Sequence, residues 1–211
     1  MEENSGDGHQ LAINPSRTYV ESSISSPRGS SLSNPQHAMN ANEPTAAPAA
    51  PPAHEIAIVP PNGPPELRQQ CYDVRIAVFV HEQGFPLDVE IDDLDPIAVH
   101  FLLRLEPSHK PIGTIRCSRS GSAAYYKLSR LAVLKEYRQY RFGRELVLAL
   151  HDWVKAEAAA NGSHDVVQIV SHSQIPVKGF YAKFGYAPEG EEFDEDGAPH
   201  QKMVARLPLS D

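Results

Sequence analysis

A basic segment between a predicted strand and a predicted helix is the part of the chain best suited to bind an anion. Arg138, Arg141 and Arg144 recur every three residues, and Gly143 lies among them. The first turn of a helix leaves backbone N–H groups without intrahelical partners, so a diphosphate can bind there through the backbone. Arginines would add charge-assisted hydrogen bonds. The spacing therefore favours a phosphate-binding loop, although a solvated basic helix start has the same spacing.

The segments on either side of this loop predict the elements that would position it. Residues 125–134 predict a strand that leads into the loop. An apolar stripe with a 3.6-residue period predicts a long helix from near Gly143 to Gly162, and residues 165–172 predict the next strand. A strand, a helix and a strand in this order form a crossover connection, which sets the two strands parallel.

The rest of the apolar pattern completes an α/β domain. One helix is predicted to begin near Pro64, and another is predicted over about residues 174–184, with Gly185 as its cap. A short turn joins the second and third strands, which predicts a hairpin. In chain order, the predicted strands are residues 55–59, 99–105, 111–117, 125–134, 165–172 and about 201–207.

Composition divides the chain into a tail and a domain. Residues 1–53 are rich in Ser, Pro, Asn, Ala and Gly, which predicts a disordered tail, and residues 54–211 have the apolar content of one domain. A formal net charge of −8 without a basic stripe argues against a nucleic-acid partner. The sequence has no apolar run of the roughly 20 residues that span a membrane, and no signal peptide is expected. Cys71 and Cys117 lie in apolar patterns, which is typical of reduced thiols in a cytoplasmic protein.

The order of elements and the basic loop resemble the GNAT superfamily of acetyl-CoA-dependent N-acetyltransferases. The signature of that family at this junction is Arg/Gln-x-x-Gly-x-Gly/Ala, and this chain has Arg138-x-x-Arg141-x-Gly143. The resemblance implies a central mixed, mostly antiparallel twisted sheet with flanking helices and parallel fourth and fifth strands. It also implies that Leu131, Ala132 and Val133 pair their backbone with the pantetheine arm of acetyl-CoA. The residues expected to contact its diphosphate are Arg138, Gln139, Tyr140, Arg141, Phe142, Gly143 and Arg144.

Arg141 departs from the family signature, because glycine is usual at its position. If the backbone there needs a positive φ, arginine is strained. If the position needs only close approach, the guanidinium is free to contact phosphate instead. We favour the second interpretation.

Two further stretches, residues 78–84 and 193–203, resemble the ElaA/YjcF-type branch of the family, and the whole resemblance covers about residues 66–207. Acidic residues cluster at 88–95 and 189–196, where they would attract a cationic substrate or form solvated loops. Histidines in predicted strands have the intrinsic pKa of a general base, but a lone strand histidine is more often structural. The residues expected to bind substrate are Glu90, Asp92, His100, His172 and His200.

The resemblance also suggests which groups carry out the chemistry. It implies that the amide of Val133 polarises the thioester carbonyl and that Tyr181 protonates the coenzyme A thiolate. Tyr181 also falls in a helical apolar stripe, where it would simply pack in the core. Glu82 follows the first helix in the ElaA-like motif and is our candidate general base. The alternative is that Glu82 is an ordinary surface glutamate without a catalytic role.

The expected function is acetyl transfer from acetyl-CoA to a primary amine, on a small cationic molecule, by direct attack in a ternary complex. Two alternatives remain open: a catalytically silent acyl-CoA-binding module, and an acetyltransferase of protein lysines or N-termini. No metal is expected, because the ten histidines are scattered without ligand spacing. The sequence leaves a homodimer open.

Overall fold

The computed structural model describes residues 50–119, 125–163, 165–195 and 197–209. The predicted disordered tail, residues 1–53, lies outside the described residues except for its last four positions. Seven strands form one sheet, and they are β1 His54–Val59, β2 Val99–Leu105, β3 Pro111–Arg119, β4 Tyr125–Val133, β5 Val166–Gln174, β6 Ala187–Glu195 and β7 Ala198–Pro208.

The sheet has the strand order β1-β2-β3-β4-β5-β7-β6. Among the described strands, β4 and β5 form the one parallel pair, and every other neighbouring pair is antiparallel. The predicted mixed, mostly antiparallel sheet with parallel fourth and fifth strands is therefore confirmed. The crossover between β4 and β5 contains the long helix that the apolar periodicity predicts.

Three α-helices flank the sheet: α1 Pro65–Arg75, α2 Phe142–Ala160 and α3 Lys178–Ala182. A π-helical segment, Ile76–Glu82, continues α1, and 3₁₀ turns occur at Leu87–Val89, Lys135–Tyr140 and Ile175–Val177. The helix predicted over residues 174–184 is thus divided into a 3₁₀ turn and the short α3. Pro176 lies in that first turn, where it has no N–H to donate to a longer helix.

Strand β6 is absent from the sequence prediction. Most of its side chains are exposed, and its register against β7 shifts between Pro188 and Glu192. A strand at the sheet edge needs no alternation of apolar and polar residues, and the negative charge along β6 is typical of protected edges. The acidic run therefore has the composition of a loop but the pairing of a strand.

The two faces of the sheet are covered by different helices. The main core lies between the sheet and α2 with α3, and it includes Leu128, Ile169 and Leu146. On the opposite face, Ala132 packs against Val74 and its neighbours from α1 and the π segment. Successive side chains of a strand point to opposite faces, so β4 and β5 each contribute to both sides.

Strands β4 and β5 pair over only part of their lengths. Residues 125–128 of β4 pair with residues 168–171 of β5, but β4 continues to Val133 and β5 continues to Gln174. A bulge in β4 lies next to this divergence. At the bulge, two residues of β4, Arg130 and Leu131, lie opposite the single residue Ile115 of β3. The sheet therefore has a gap in its centre between the ends of these two strands.

Candidate active site

A pocket of about 470 Å³ lies where the end of β4, the start of α2 and α3 meet. Four of its side chains, Arg138, Arg141, Arg144 and Lys183, are cationic, although the chain as a whole has a net charge of −8. The pocket is thus a concentrated positive region on an acidic protein. The residues on its wall are Val133, Arg138, Arg141, Gly143, Arg144, Leu148, His151, Phe180, Lys183 and Phe184.

Arg141 has a left-handed backbone, with φ 61° and ψ 26°, and it caps the N-terminus of α2. The interpretation that this position needs only close approach is therefore wrong. The chain must turn from the 3₁₀ segment into α2 within one residue, and the N–H groups of Arg141 and Arg144 bond to the carbonyls of Arg138 and Arg141 across that turn. A residue with a Cβ costs roughly 1–2 kcal/mol in this conformation. The side chain of Arg141 still reaches the pocket wall.

Arg138 connects the pocket to the π segment. Its guanidinium donates to both carboxylate oxygens of Glu82, at 2.7 and 2.6 Å, and its Nε donates to the carbonyl of Val133 at 3.0 Å. A bidentate pair fixes both position and orientation. The structure therefore places Glu82, the candidate base, beside the basic loop with its carboxylate engaged by Arg138. The role of Glu82 as a base stays a prediction.

Other residues predicted to contact the coenzyme lie off the pocket wall. Phe142 is fully buried, and its ring packs against the rings of His54 and Tyr140. Gln139 is exposed and donates to the carbonyl of Glu136. Leu131 and Ala132 are fully buried at the end of β4, so any contact of theirs with a ligand is through the backbone. The predicted residues that the structure brings together at the pocket are Val133, Arg138, Arg141, Gly143 and Arg144.

Sequence reasoning missed the pocket residues of α2 and α3. Leu148 and His151 follow Arg144 at intervals of four and three residues, so they lie on the same helix face, and this spacing was available in the sequence. The Nε2 of His151 lies 2.9 Å from the hydroxyl of Tyr186. Burial lowers the pKa of His151 to about 4, so its imidazole is neutral near pH 7.

Tyr181 is fully buried in the main core. Its ring lies 5.3 Å from that of Phe180 and 5.4 Å from that of Tyr186, measured between centroids. Phe180 is itself on the pocket wall, so Tyr181 is the next residue behind that wall. The role of Tyr181 as the catalytic acid stays a prediction. The alternative, that Tyr181 packs in the core, agrees with its burial.

The acidic segment at residues 88–95 is folded into a buried ion-pair network. Arg75 binds Glu90 and Asp95 at 2.6 Å each, and Arg116 binds Asp92 at 2.6 Å and Asp95 at 2.8 Å. Arg130 lies 3.0 Å from Asp92 and donates to the carbonyls of Val89 and Glu90. We call these six residues the buried network; they are Arg75, Glu90, Asp92, Asp95, Arg116 and Arg130.

The buried network corrects the interpretation of residues 88–95 as a solvated loop. The side chain of Glu90 is fully buried and that of Asp92 is 10% exposed, and both are paired with arginine. Although burial alone raises the pKa of Asp95, its hydrogen bonds and ion pairs with Arg75 and Arg116 lower it well below the usual range. The carboxylates of Glu90 and Asp92 thus neutralise arginines instead of facing an acceptor.

His100, predicted to bind substrate, is also fully buried against this network. Its Nε2 donates to the carbonyl of Asp95 at 3.0 Å, and its ring contacts that of Tyr72 edge-on. Burial lowers the pKa of His100 to about 4. His100 is therefore a neutral core residue. It has the structural role that the sequence left open as the alternative to binding substrate.

His172 and His200, the other predicted substrate residues, lie together at the β6 end of the sheet. The Nδ1 of His172 is 3.2 Å from both carboxylate oxygens of Glu195, and the ring of Phe193 packs edge-on against His172 and stacks on His200. The Nδ1 of His200 donates to the carbonyl of Ala198 at 2.9 Å. This group forms a second candidate region, separate from the basic pocket.

Comparisons with known proteins agree with this architecture. A family model described as an acetyltransferase (GNAT) domain matches residues 96–207. The uncharacterized N-acetyltransferase YjcF of Bacillus subtilis is 33% identical over 140 residues, which are 66% of this chain and 92% of YjcF. Within the described residues, no helix is long and apolar enough to cross a membrane.

Solved structures give the same result for the fold. The crystal structure of a provisionally assigned N-acetyltransferase from Lactobacillus plantarum is 31% identical, with a TM-score of 0.62, and the match covers 74% of this chain and 99% of the other. The structure of Escherichia coli ElaA is 22% identical, with a TM-score of 0.59, and the match covers 72% of this chain and 99% of ElaA.

Proposed function

The chain belongs to the GNAT acetyltransferase family, and from that membership we propose that it transfers the acetyl group of acetyl-CoA to a primary amine on a small cationic acceptor. The observation that carries this proposal is the basic pocket between α2 and α3. A net charge of −8 makes four cationic side chains around one pocket a specific feature rather than a consequence of composition.

The pocket has the features that a coenzyme diphosphate requires. Arg141 caps α2 and Arg144 lies in its first turn, where the helix N-terminus adds its own positive potential. A Cβ built at Gly143 would lie 3.7 Å from the ring of Phe180, so a larger side chain there would occupy the pocket. Beyond Val133, the gap between β4 and β5 offers a route from the pocket into the sheet.

Each cationic residue of the pocket has a proposed task. Arg138, held in place by Glu82, positions the turn that follows β4, and Arg141, Arg144 and Lys183 bind phosphate oxygens. When bound, acetyl-CoA supplies an acetyl group activated as a thioester. The amide of Val133 would bind the thioester carbonyl, and Tyr181 would donate a proton to the departing sulfur.

Direct transfer between the two substrates is supported by the state of the cysteines. Burial raises the pKa of Cys71 to about 11, and burial raises that of Cys117 further still. Both cysteines of the chain are therefore protonated thiols near pH 7, and a buried thiol is a poor nucleophile. An acetylated cysteine intermediate is thus disfavoured, and we propose attack by the amine within a ternary complex.

The nature of the acceptor follows from charge. Glu191 of β6 is exposed and alternates with Glu192, which pairs with Lys178 of α3, so Glu191 would attract a small cation to the side of the sheet that holds His172 and His200. Lysine side chains and protein N-termini are also amines, and the same fold accommodates them. The choice between these acceptors is made by the experiment below.

The test measures thiol release from acetyl-CoA by the full-length protein across a panel of polyamines, amino sugars, lysine peptides and N-terminal peptides. We expect release with a small cationic amine. We also expect Arg144→Ala to weaken acetyl-CoA binding in calorimetry by about tenfold or more, since a charged hydrogen bond contributes about 1.5–3 kcal/mol. Arg206→Ala is the matched control, because Arg206 is an exposed arginine of β7 paired with Glu189 and should leave the affinity unchanged.

Three other outcomes would change the proposal. Release only with peptides would assign a protein acetyltransferase instead. Acetyl-CoA binding without release by any amine would indicate a silent binding module. A protein that does not bind acetyl-CoA at all would contradict our assignment of the pocket.

A further inference from the structure

His172 and Glu195 form a carboxylate–histidine pair that the coenzyme pocket does not include. The Nδ1 of His172 lies 3.2 Å from both oxygens of Glu195, and the side chain of Glu195 is only 10% exposed. A carboxylate that accepts from Nδ1–H leaves the lone pair of the neutral imidazole on Nε2. The imidazole is 22% exposed, so solvent and small molecules reach it.

Sheet geometry places this pair at the central gap. Ser171 is the last residue of β5 that pairs with β4, through Leu128, and His172 is the next residue of β5. Ile169 packs in the core beneath α2, and residues one apart on a strand alternate in direction. His172 therefore lies on the opposite face of the sheet from the basic pocket.

Beyond the last β4–β5 pair, these two strands no longer separate the two faces with a continuous hydrogen-bonded ladder. A coenzyme bound between α2 and α3 can present its acetyl end to the far face where β4 and β5 diverge. An acceptor on the far face would meet the acetyl group there, beside the first residue of β5 beyond the last β4–β5 pair. That residue is His172.

Other titratable groups surround the pair. Lys202 lies opposite His172 in the β5–β7 register and is bound to Glu189, while His200 contacts the far side of the Phe193 ring. Lys127 of β4 faces Glu195, and burial lowers the pKa of this lysine to about 8 despite the opposing effect of Glu195. Asp92, Arg116 and Arg130 of the buried network are also close enough to influence the charge of Lys127. Lys127 therefore remains mostly protonated near pH 7, and it is the Nδ1 of His172 that lies within hydrogen-bonding distance of Glu195.

We propose that His172 is the general base of the transfer and that Glu195 is the residue that positions and polarises it. This inference rests on the proposed function. The amine nitrogen forms a bond to the acetyl carbonyl carbon as the carbon–sulfur bond breaks. The proton lost by the nitrogen goes to Nε2 of His172, and the sulfur leaves with the bonding electron pair and takes up a proton, from Tyr181 in our assignment.

This assignment moves the base away from Glu82. Both oxygens of Glu82 accept hydrogen bonds from Arg138, and this bidentate pair stabilises the charged carboxylate and so opposes its protonation. The imidazole of His172 meets no such opposition, because Glu195 engages only Nδ1.

The experiment compares His172→Gln and Glu195→Gln in the full-length protein, with the amine that the panel identifies. We expect His172→Gln to lower kcat by about 100-fold or more, while calorimetry shows an unchanged Kd for acetyl-CoA. Glu195→Gln should lower kcat less. Glu195→Asp, which keeps a carboxylate, should retain more of the wild-type kcat than Glu195→Gln. Added imidazole should restore part of the activity of His172→Ala.

His109→Gln is the matched control, since His109 is an exposed histidine that also contacts a glutamate, Glu55. It should leave kcat unchanged. A His172→Gln protein that keeps kcat within threefold of the wild type overturns the assignment of the base while leaving the acetyltransferase function standing. A wild-type protein that binds acetyl-CoA but acetylates no amine overturns the proposed function, and the role of His172 with it.

A variant that fails to fold is distinguished by circular dichroism and by the acetyl-CoA titration. In that case Glu195→Gln carries the test. A Glu195→Gln protein that binds acetyl-CoA normally and retains the wild-type kcat contradicts the proposed pair.

Discussion

The two acidic segments of this protein have similar composition and opposite environments. Residues 88–95 place Glu90 and Asp95 fully inside the protein, whereas residues 189–195 lie along an edge strand with most side chains in solvent. The difference is decided by partners far away in sequence. Three arginines from α1, β3 and β4 meet the first segment inside the protein, whereas the cations that pair with the second do so at the surface; these are Lys178, Lys202 and Arg206. Local charge density therefore does not determine where a carboxylate lies.

Charge balance explains why the first segment can be buried. The buried network has three carboxylates and three guanidinium groups, and the carboxylates of Asp92 and Asp95 each accept from more than one arginine. Burial of a charge is costly unless it is paired and hydrogen-bonded. The network thus contributes little net stability when complete, but the loss of one member leaves charges that water cannot reach.

The largest expected effect is on folding, from a member of the buried network. Arg116→Met should lower the free energy of unfolding by about 3–5 kcal/mol, because Asp92 and Asp95 each lose a partner inside the protein. Urea denaturation measures this value. The same substitution at the β6 end, Arg206→Met, removes an exposed arginine from Glu189 and should leave stability unchanged within error.

Equal effects of the two substitutions would break the comparison. A loss below about 1 kcal/mol in Arg116→Met would mean that water reaches the carboxylates and that the network is not buried in solution.

The next effect is on the response to acid. The pKa of His100 is about 4 in the folded protein and 6.5 ordinarily. Between these two pH values the unfolded chain binds a proton at His100 and the folded protein does not. Stability from this group is complete above pH 6.5 and is lost as pH falls towards 4. We expect His100 to account for at most about 3 kcal/mol of the loss on acidification.

Unfolding in urea at pH 7 and at pH 4.5 measures this effect. His100→Gln should reduce the difference between the two values, whereas His109→Gln, at an exposed position, should not. A difference that is the same in His100→Gln and in the wild type would contradict the burial of His100 as a neutral group.

The smallest effect is on encounter with substrate, from the β6 segment. The substitution Glu191→Gln should lower kcat/KM for a cationic amine by less than tenfold at low salt, through weaker long-range attraction. The kcat/KM for acetyl-CoA, which binds at the other face, serves as the internal control. The difference should vanish at high salt; a loss that persists there would mean a direct contact instead of attraction at a distance.

Much of the fold could be predicted because its signals are periodic. The stripe of α2, which includes Leu146 and Leu150, and the alternation in β4 are repeated features, and they were sufficient for the crossover that sets β4 and β5 parallel. Strand β6 was missed because an exposed edge strand buries almost nothing and so carries no apolar alternation.

The candidate site was only partly predictable. The arginines of the basic loop could be recognised from their position between a strand and a helix, but the left-handed backbone of Arg141 has no signature in an arginine. Glu82 and Arg138, 56 residues apart, and His172 and Glu195, 23 residues apart, are brought together only by tertiary structure. Sequence spacing predicts neighbours on one helix or strand, and these pairs join different elements.

The divergence of β4 and β5 makes the sheet two blocks, a four-stranded one and a three-stranded one. A short seam at residues 125–128 and 168–171 joins them, and α2 bridges it from one side. Past the seam, β4 and β5 no longer form hydrogen bonds with each other, so the backbone groups on their facing edges line the gap. A ligand with amides of its own, inserted there, would act as an additional strand and tighten both blocks at once. A ligand bound in this gap would therefore raise the free energy of unfolding of the protein, in addition to taking part in the reaction.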